Sequence, residues 1–334
     1  STSVTANATL FKDRGDTFHF NGKAQEVIFY LSDESDNRAG IESDINNHYS
    51  IYAKPKKLLD EFGGAAAAYS LRRLSSNYAG PLVKIRRDSD NVEVNVYPDI
   101  EGNFSLNSRV TNIAETTTGS SQADFSFNTT FATLSQFVEG DPNCFVVEWK
   151  DQSSNNNHAT QDASANQPKI YDGTTGVVTD DNGKATIYFD ANALITPTVS
   201  MSSATCFIHH TNFDANARMF CEFDQFENSF FYDTVTGYWV RNGGSLNLGG
   251  LPSTTKKLIY ALLENNGGEL GINGATATSG TLSVVGGEMD LLIGQRNSTY
   301  WKGTASEFIV YDSDQSSNRT NIETNINTFY NIFS

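Results

Sequence analysis

The sequence predicts a mainly β protein: a β-sandwich or jelly roll with an N-terminal helical segment and a short closing C-terminal helix. Three features indicate this fold class. From residue 144 onward, short β-type runs alternate with turns rich in Gly, Asn and Asp. A strand-and-helix pattern occurs twice, once near each end of the 334 residues. Only 19% of the residues are charged, while Asn, Ser, Thr and Gly are abundant, which is typical of extracellular β proteins.

The repeat joins residues 22–52 to residues 303–333. The two segments align without a gap, and about half of their positions are identical, including Glu26/Glu307 and Tyr49/Tyr330. Each copy predicts a strand, 26–31 or 307–311, and then a short helix with apolar residues every four positions. These apolar positions are Ile41, Ile45 and Tyr49 in the first copy and Ile322, Ile326 and Tyr330 in the second.

The repeat also predicts the domain organisation. Residues 53–334 form one complete sandwich domain, and residues 1–52 form a strand–helix tail that repeats 282–333. Two origins of the tail stay open. It either ends a preceding repeat, or it joins like subunits by adding a strand to a neighbouring chain.

The body of the domain predicts its elements in order. Residues 56–77 read as a helix interrupted at Gly63 and Gly64, and residues 83–97 as a hairpin that turns at 88–91. A short helix is expected at 130–138. The strands then follow as CFVVEW, KATIYF, ATCFIHH, RMFCEF, SFFYD, GYWVRN, KLIYALL, GELGING, MDLLIG and SEFIVY.

The charge of the chain limits its partners. Acidic side chains outnumber basic ones by 39 to 23, which leaves a net charge of −16. Such a chain repels phosphates, and its Lys/Arg pairs are scattered, so no nucleic-acid partner is expected. No apolar run approaches the ~18 residues that span a bilayer, so membrane insertion is not expected either.

The cysteines and histidines give no strong site signal. Cys206 and Cys221 either pair between neighbouring strands or, like Cys144, are small buried residues. His209 and His210 are adjacent, and on a strand they would point to opposite faces, which is poor geometry for one metal ion.

No cofactor is expected. The turns 33–37, 88–91 and 312–318 are rich in oxygen ligands, and a structural calcium ion there stays an alternative. None of them matches the EF-hand spacing, so the default interpretation is a solvated turn.

Three segments carry a family resemblance: AAAAYSLRRLSSNYAGPLVKIRRDSDN (65–91), WKDQSSNNNHATQ (149–161) and NQPKIY (166–171). They resemble the catalytic domain of family 54 α-L-arabinofuranosidases, and related modules of phage and bacterial surface proteins. The resemblance covers roughly residues 55–333 and implies a concanavalin-like (LamG-type) jelly roll. For 149–161 we predict a structural role, because its Asp, Gln, Ser and Asn side chains suit a turn that ties down the backbone.

The same resemblance implies a retaining glycoside hydrolase, which needs two carboxyl groups ~5–5.5 Å apart. The family's nucleophile and acid/base segments correspond to 238–245 and 293–299, where Arg241, Gly243 and Arg296 stand at or beside the carboxylate positions. Only Cys221 matches the family's cysteine pair. Loss of both carboxylates removes covalent catalysis and proton transfer. An active hydrolase stays an alternative, since Glu222, Asp224 and Glu227 could replace the pair.

Two segments combine aromatic rings with amide and guanidinium groups, the mixture that binds sugars. The candidate ligand-binding residues are Trp239, Arg241 and Asn242 in the first segment, and Arg296, Asn297, Tyr300 and Trp301 in the second. The alternative is that both tryptophans are core or edge residues.

The expected function is therefore a non-catalytic, lectin-like or adhesive module of a repeated surface protein. Its expected location is extracellular, on a cell surface or a virion, as in a phage fibre or decoration protein or a bacterial adhesin. The expected partners are a cell-surface or extracellular glycan and like subunits or neighbouring repeats, with weak binding strengthened by repetition. The alternatives are a structural subunit that self-assembles through its N-terminal tail and the hydrolase.

Overall fold

The chain divides into two compact units, Ser1–Tyr52 and Ala53–Ser334. The computed structural model describes residues 21–51, 56–112, 132–197, 199–201, 203–212, 222–223, 228–233, 237–242, 244–247, 255–264, 267–281, 287–289, 292–296 and 299–334. The first unit contains a 3₁₀ turn, Ser35–Asn37, and helix α1, Arg38–Tyr49. No helix within these ranges is both long and apolar enough to cross a bilayer.

The second unit is mainly antiparallel β-sheet, as predicted. Its helices are α2 (Leu58–Glu61), α3 (Leu134–Phe137) and α4 (Arg319–Tyr330), with a 3₁₀ turn at Ser164–Asn166. Its strands are β1 (Ala65–Ser70), β2 (Val83–Arg87), β3 (Glu93–Val96), β4 (Val110–Asn112), β5 (Cys144–Trp149), β6 (Ala159–Thr160), β7 (Lys169–Asp172), β8 (Gly176–Val177), β9 (Ile187–Asp190), β10 (Leu194–Ile195), β11 (Val199–Met201), β12 (Ala204–Asn212), β13 (Glu222–Phe223), β14 (Asn228–Asp233), β15 (Gly237–Asn242), β16 (Gly244–Asn247), β17 (Lys257–Glu264), β18 (Gly267–Ile272), β19 (Thr278–Gly280), β20 (Gly287–Met289), β21 (Leu292–Ile293), β22 (Gln295–Arg296), β23 (Thr299–Tyr300) and β24 (Lys302–Tyr311).

Strand β24 lies in the middle of the main sheet, whose order is β19-β18-β17-β12-β24-β9-β7-β5-β2-β3-β4. One edge of β24 pairs with β12 along most of its length. The other edge pairs first with β9 and then with β1, which lies opposite Glu307–Tyr311. Both edges of β24 are therefore paired with strands that come from distant parts of the chain.

Both faces of β12 and β24 are buried, which explains why their sequences are almost continuously apolar. Cys206 and Phe308 belong to the face that packs into the large sandwich core. Phe207, Ile309 and Tyr311 belong to the opposite face, which packs beneath α4 and α2. The closing helix predicted for the second copy is thus confirmed, and its apolar stripe seals the outer side of the sheet.

The helix predicted over 56–77 is wrong in most of its length. Only Leu58–Glu61 is helical, and Ala65–Ser70 forms strand β1, with every residue buried. Alanine favours helices locally, but here its small side chains let β1 fit between β24 and the layers on either side, so tertiary pairing overrides propensity. Gly64, with φ of +82°, separates the two elements in a conformation that other residues rarely adopt.

Other predictions have mixed outcomes. The hairpin over 83–97 is confirmed as β2 and β3, and the short helix is confirmed at Leu134–Phe137. The predicted strand at 26–31 is not formed: these residues are exposed and have no strand assignment. None of the described strands pairs with this segment, and an apolar pattern alone does not produce a strand.

Candidate functional site

The first predicted segment, Trp239, Arg241 and Asn242, lies on strand β15. This strand belongs to a separate four-stranded sheet of order β13-β14-β15-β16. Trp239 lies opposite Phe231 of β14 in the strand register. Strand β15 also contacts β17 and β18 of the main sheet. The segment is thus on regular β structure beside the main sandwich.

The second predicted segment forms a small hairpin, β22–β23, in which Arg296 lies opposite Thr299. Tyr300 follows at the end of the hairpin, and 39% of its surface is exposed. Asn297 lies outside the described residues. Of this group, Tyr300 is the aromatic side chain that the structure shows at the surface.

Trp301 is a correction to the predicted site. It is fully buried, its ring centroid lies 5.4 Å from that of Phe189, and it meets the ring of His210 edge-on at 6.0 Å. Its backbone N–H donates to the carbonyl of Gly294 at 2.9 Å. Because the residue joins β23 to the central strand β24, its side chain enters the sandwich core. It cannot serve as an exposed platform for a sugar ring.

The 149–161 motif has the structural role predicted for it. The Asp151 carboxylate accepts backbone N–H bonds from Ala68 at 2.8 Å, Ser153 at 2.9 Å and Asn157 at 3.0 Å. His158 lies behind, where its Nδ1 accepts the Asp151 N–H at 3.0 Å. The carboxylate therefore ties the turn to strand β1.

The neighbouring amides extend the same attachment. Gln152 accepts the N–H of Leu74 at 2.8 Å and donates to the carbonyls of Ser70 and Arg72 at 3.1 and 3.0 Å. The side chains of Asn155 and Asn157 both donate to the carbonyl of Ala66, and the Tyr69 hydroxyl donates to the Asn157 carbonyl. The motif satisfies backbone groups that β1 and the chain after it would otherwise bury unpaired.

A buried ion pair closes the other side of β1, and the sequence reasoning did not predict it. The Arg72 guanidinium donates to both oxygens of Glu307, from Nε at 2.8 Å and from a terminal nitrogen at 2.9 Å. Ser70 donates to the same carboxylate at 2.7 Å and Tyr330 at 3.3 Å. Burial, and the charge of Glu307, raise the pKa of Tyr330 well above its ordinary value. The repeat offered a signal for this cluster, since both copies keep the glutamate and the tyrosine.

The adjacent histidines face opposite sides of the sheet, as predicted. The ring of His209 packs against that of Tyr330 at a tilt of 47°, with 4.4 Å between centroids, and its Nε2 lies 3.8 Å from an oxygen of Asp180. His210 faces Trp301 in the other layer. Burial lowers the pKa of His210 well below its ordinary value.

The oxygen-rich turns use their carboxylates to hold their own backbones. Asp33 accepts the N–H of Ser35, and Asp314 that of Ser316. Asp90 pairs with Arg87 at 2.6 Å. In the described ranges, no group of three or more His, Cys, Asp or Glu side chains could hold a metal ion.

The described thiols are buried. Cys144 and Cys206 are free, and burial raises the pKa of each to about 12. Cys221, the other half of the predicted pair, lies outside the described residues.

A cleft of about 170 Å³ opens between the 99–105 loop, the 183–185 turn and the end of α4. Its most polar group, the Asp99 carboxylate, already accepts from the backbone of Glu101 and Asn103 and from the Ser105 hydroxyl. Its lysine, Lys184, lies over the ring of Phe329 at 4.4 Å. These groups stabilise the loops that line the cleft.

No protein-family model and no curated protein matches the chain. Several solved structures do. One is a family 54 α-L-arabinofuranosidase soaked with a cyclic sulfate inhibitor, at 14% identity and a TM-score of 0.57. Another is an arabinofuranosidase complexed with arabinofuranosyl-α-1,2-xylobiose, at 15% identity and a TM-score of 0.56. Each match covers 78% of this chain and 62% of the other. The chain thus has a fold like that catalytic domain and spans less than two thirds of those proteins.

Proposed function

We propose that the chain is a non-catalytic carbohydrate-binding or adhesive module of a repeated extracellular or virion-surface protein. The observation that carries the proposal is the fold match, over 78% of this chain and 62% of the other, to an arabinofuranosidase solved in complex with an arabinofuranosyl sugar. Low identity limits that match to the fold, so the binding groups must come from this chain's own residues.

The proposed binding surface uses Trp239, Arg241 and Asn242 on β15 with Arg296, Asn297 and Tyr300 around the β22–β23 hairpin. Aromatic rings stack on the apolar faces of sugars, and amide and guanidinium groups donate to their hydroxyls. Trp301 is left out because it is buried. Arg241, Gly243 and Arg296 stand at or beside the positions where the resemblance implies carboxylates. This supports binding without glycosidic cleavage, because these residues supply neither a nucleophile nor a proton donor.

The test is binding of the full chain to a glycan array, followed by calorimetry with arabinofuranosyl-xylobiose. Trp239→Ala and Tyr300→Ala are expected to weaken binding by up to about tenfold each, since aromatic contacts contribute roughly 0.5–1.5 kcal/mol beyond burial. Ile100→Ala is the matched control, because this exposed apolar side chain lies on a different loop. Absence of binding to every glycan would contradict the proposal.

A separate assay tests the proposal that the module has no hydrolase activity. A chromogenic α-L-arabinofuranoside should release no chromophore at any pH while the protein stays folded. Release that is lost on substitution of Glu222 would instead establish the hydrolase alternative.

A further inference from the structure

The two copies of the repeat adopt the same helix but not the same strand. Helices α1 and α4 each have 12 residues, and each ends at a left-handed residue, Ser50 with φ of 51° and Asn331 with φ of 50°. Each also carries the same ion pair across its first turn, Arg38 with Glu42 and Arg319 with Glu323. The helical half of the first copy is therefore already formed.

The strand half of the first copy has no strand assignment, and its apolar side chains are exposed. The five apolar residues 27–31 are each at least 44% exposed. Their counterparts in β24 include Ile309 and Tyr311, which are fully buried between β1, β12 and α4. Five consecutive exposed apolar residues are costly in water and mark an interaction site.

Part of the polar cluster around Glu307 also has a counterpart in the first copy. In the second copy, Tyr330 donates to Glu307, and Ser70 and Arg72 complete the set of donors. In the first copy, desolvation, the charge of Glu26 and a hydrogen bond with its carboxylate raise the pKa of Tyr49. The same glutamate and tyrosine thus interact in both copies, whereas the arginine and serine in the second copy come from the sandwich.

We propose that residues 22–52 are a donor strand and helix that complete a second sandwich of this same type, one whose own closing strand is absent or displaced. Residues 26–30 enter between the acceptor's counterparts of β1 and β12, in the register of Glu307–Tyr311. Glu26 then pairs with the acceptor's counterparts of Ser70 and Arg72. Helix α1 covers the slot from outside, as α4 does. Neighbouring units would thereby be joined end to end.

The first experiment asks whether the donor fits the slot. In the full chain, residues 303–333 are replaced by the sequence of 22–52, and thermal unfolding is followed by circular dichroism. A single cooperative transition is expected. The matched control is the same chimera with Ile28→Asp and Ile309→Asp, which should lose this transition because both copies of the strand are then weakened. Failure of the chimera itself to unfold cooperatively would overturn the proposal.

The second experiment asks whether the donor acts between molecules. A full-length acceptor with Ile28→Asp and Ile309→Asp, whose own donor and own closing strand are both weakened, is refolded from denaturant with wild-type chain and analysed by sedimentation velocity. A soluble complex is expected with the wild-type donor and not with an Ile28→Asp donor. An acceptor that forms no complex with wild-type chain would overturn the proposal, and so would equal capture by the Ile28→Asp donor. Both experiments are independent of glycan binding.

Discussion

Replacing Glu307 with glutamine should strongly destabilise the sandwich. The Glu307 side chain is fully buried and that of Arg72 is 10% exposed, and the two form two charged hydrogen bonds of 2.8 and 2.9 Å. Glutamine keeps the shape but leaves the guanidinium buried without its counter-ion. It also weakens the acceptor for Ser70 and Tyr330.

Breaking a buried pair by removing one partner costs roughly 3–5 kcal/mol, because the remaining charge is uncompensated. At ~2–4 °C of melting temperature per kcal/mol for a domain of this size, Glu307→Gln should lower the midpoint by about 6–20 °C. The assay is urea and thermal unfolding of the full chain, followed by circular dichroism.

Two controls make the measurement specific. Lys302→Met removes an exposed pair with Asp190, and it should change the free energy of unfolding far less than Glu307→Gln does, because water screens the pair. The double variant Arg72→Met with Glu307→Gln should be less destabilised than the sum of the two single variants, because it removes both charges. A Glu307→Gln cost below about 1 kcal/mol, or strict additivity, would refute the buried-pair reasoning.

Three further outcomes are expected. Asp151→Ala should destabilise the fold by about 3 kcal/mol or more in urea titrations, because three backbone N–H groups lose a charged acceptor; a cost near zero would show that the 149–161 turn does not secure β1. Cys144 and Cys206, whose pKa values are raised to about 12 by burial, should resist alkylation at pH 8 until urea unfolds the chain, as read by peptide mass spectrometry; fast labelling of the native protein would contradict their burial. Burial lowers the pKa of His210, so the stability that its neutral form contributes should be complete above about pH 6.5 and be lost as the pH falls from there toward the folded-state pKa. His210→Phe should therefore flatten the pH dependence of the free energy of unfolding between pH 7.5 and 5. An unchanged slope would argue against this prediction.

The β character and the closing helix were predictable because they rest on local patterns. Short apolar runs between turn residues predict the strands, and apolar residues at every fourth position predict the helix. The role of 149–161 was also predictable, since Asp and Asn are the residues that bond to nearby backbone groups.

The errors occur where distant segments decide the outcome. Residues 65–70 have the composition of a helix, and only the availability of β24, far along the chain, makes them a strand. Residues 26–31 have the composition of a strand, but none of the strands that the structure describes pairs with them. Trp301 stands among residues of the kinds that bind sugars, but it lies next to the central strand and its side chain is buried. The Arg72–Glu307 pair joins residues too far apart in sequence for any local pattern to connect them.

The central position of β24 has a consequence for synthesis of the chain. Ala65 pairs with Tyr311, and β12 pairs along the same strand. The ribosome must therefore release almost the whole unit before β1 and β12 receive the strand that lies between them. Until then the nascent sandwich presents two open edges and an uncovered apolar face, the state in which such chains aggregate or need a chaperone.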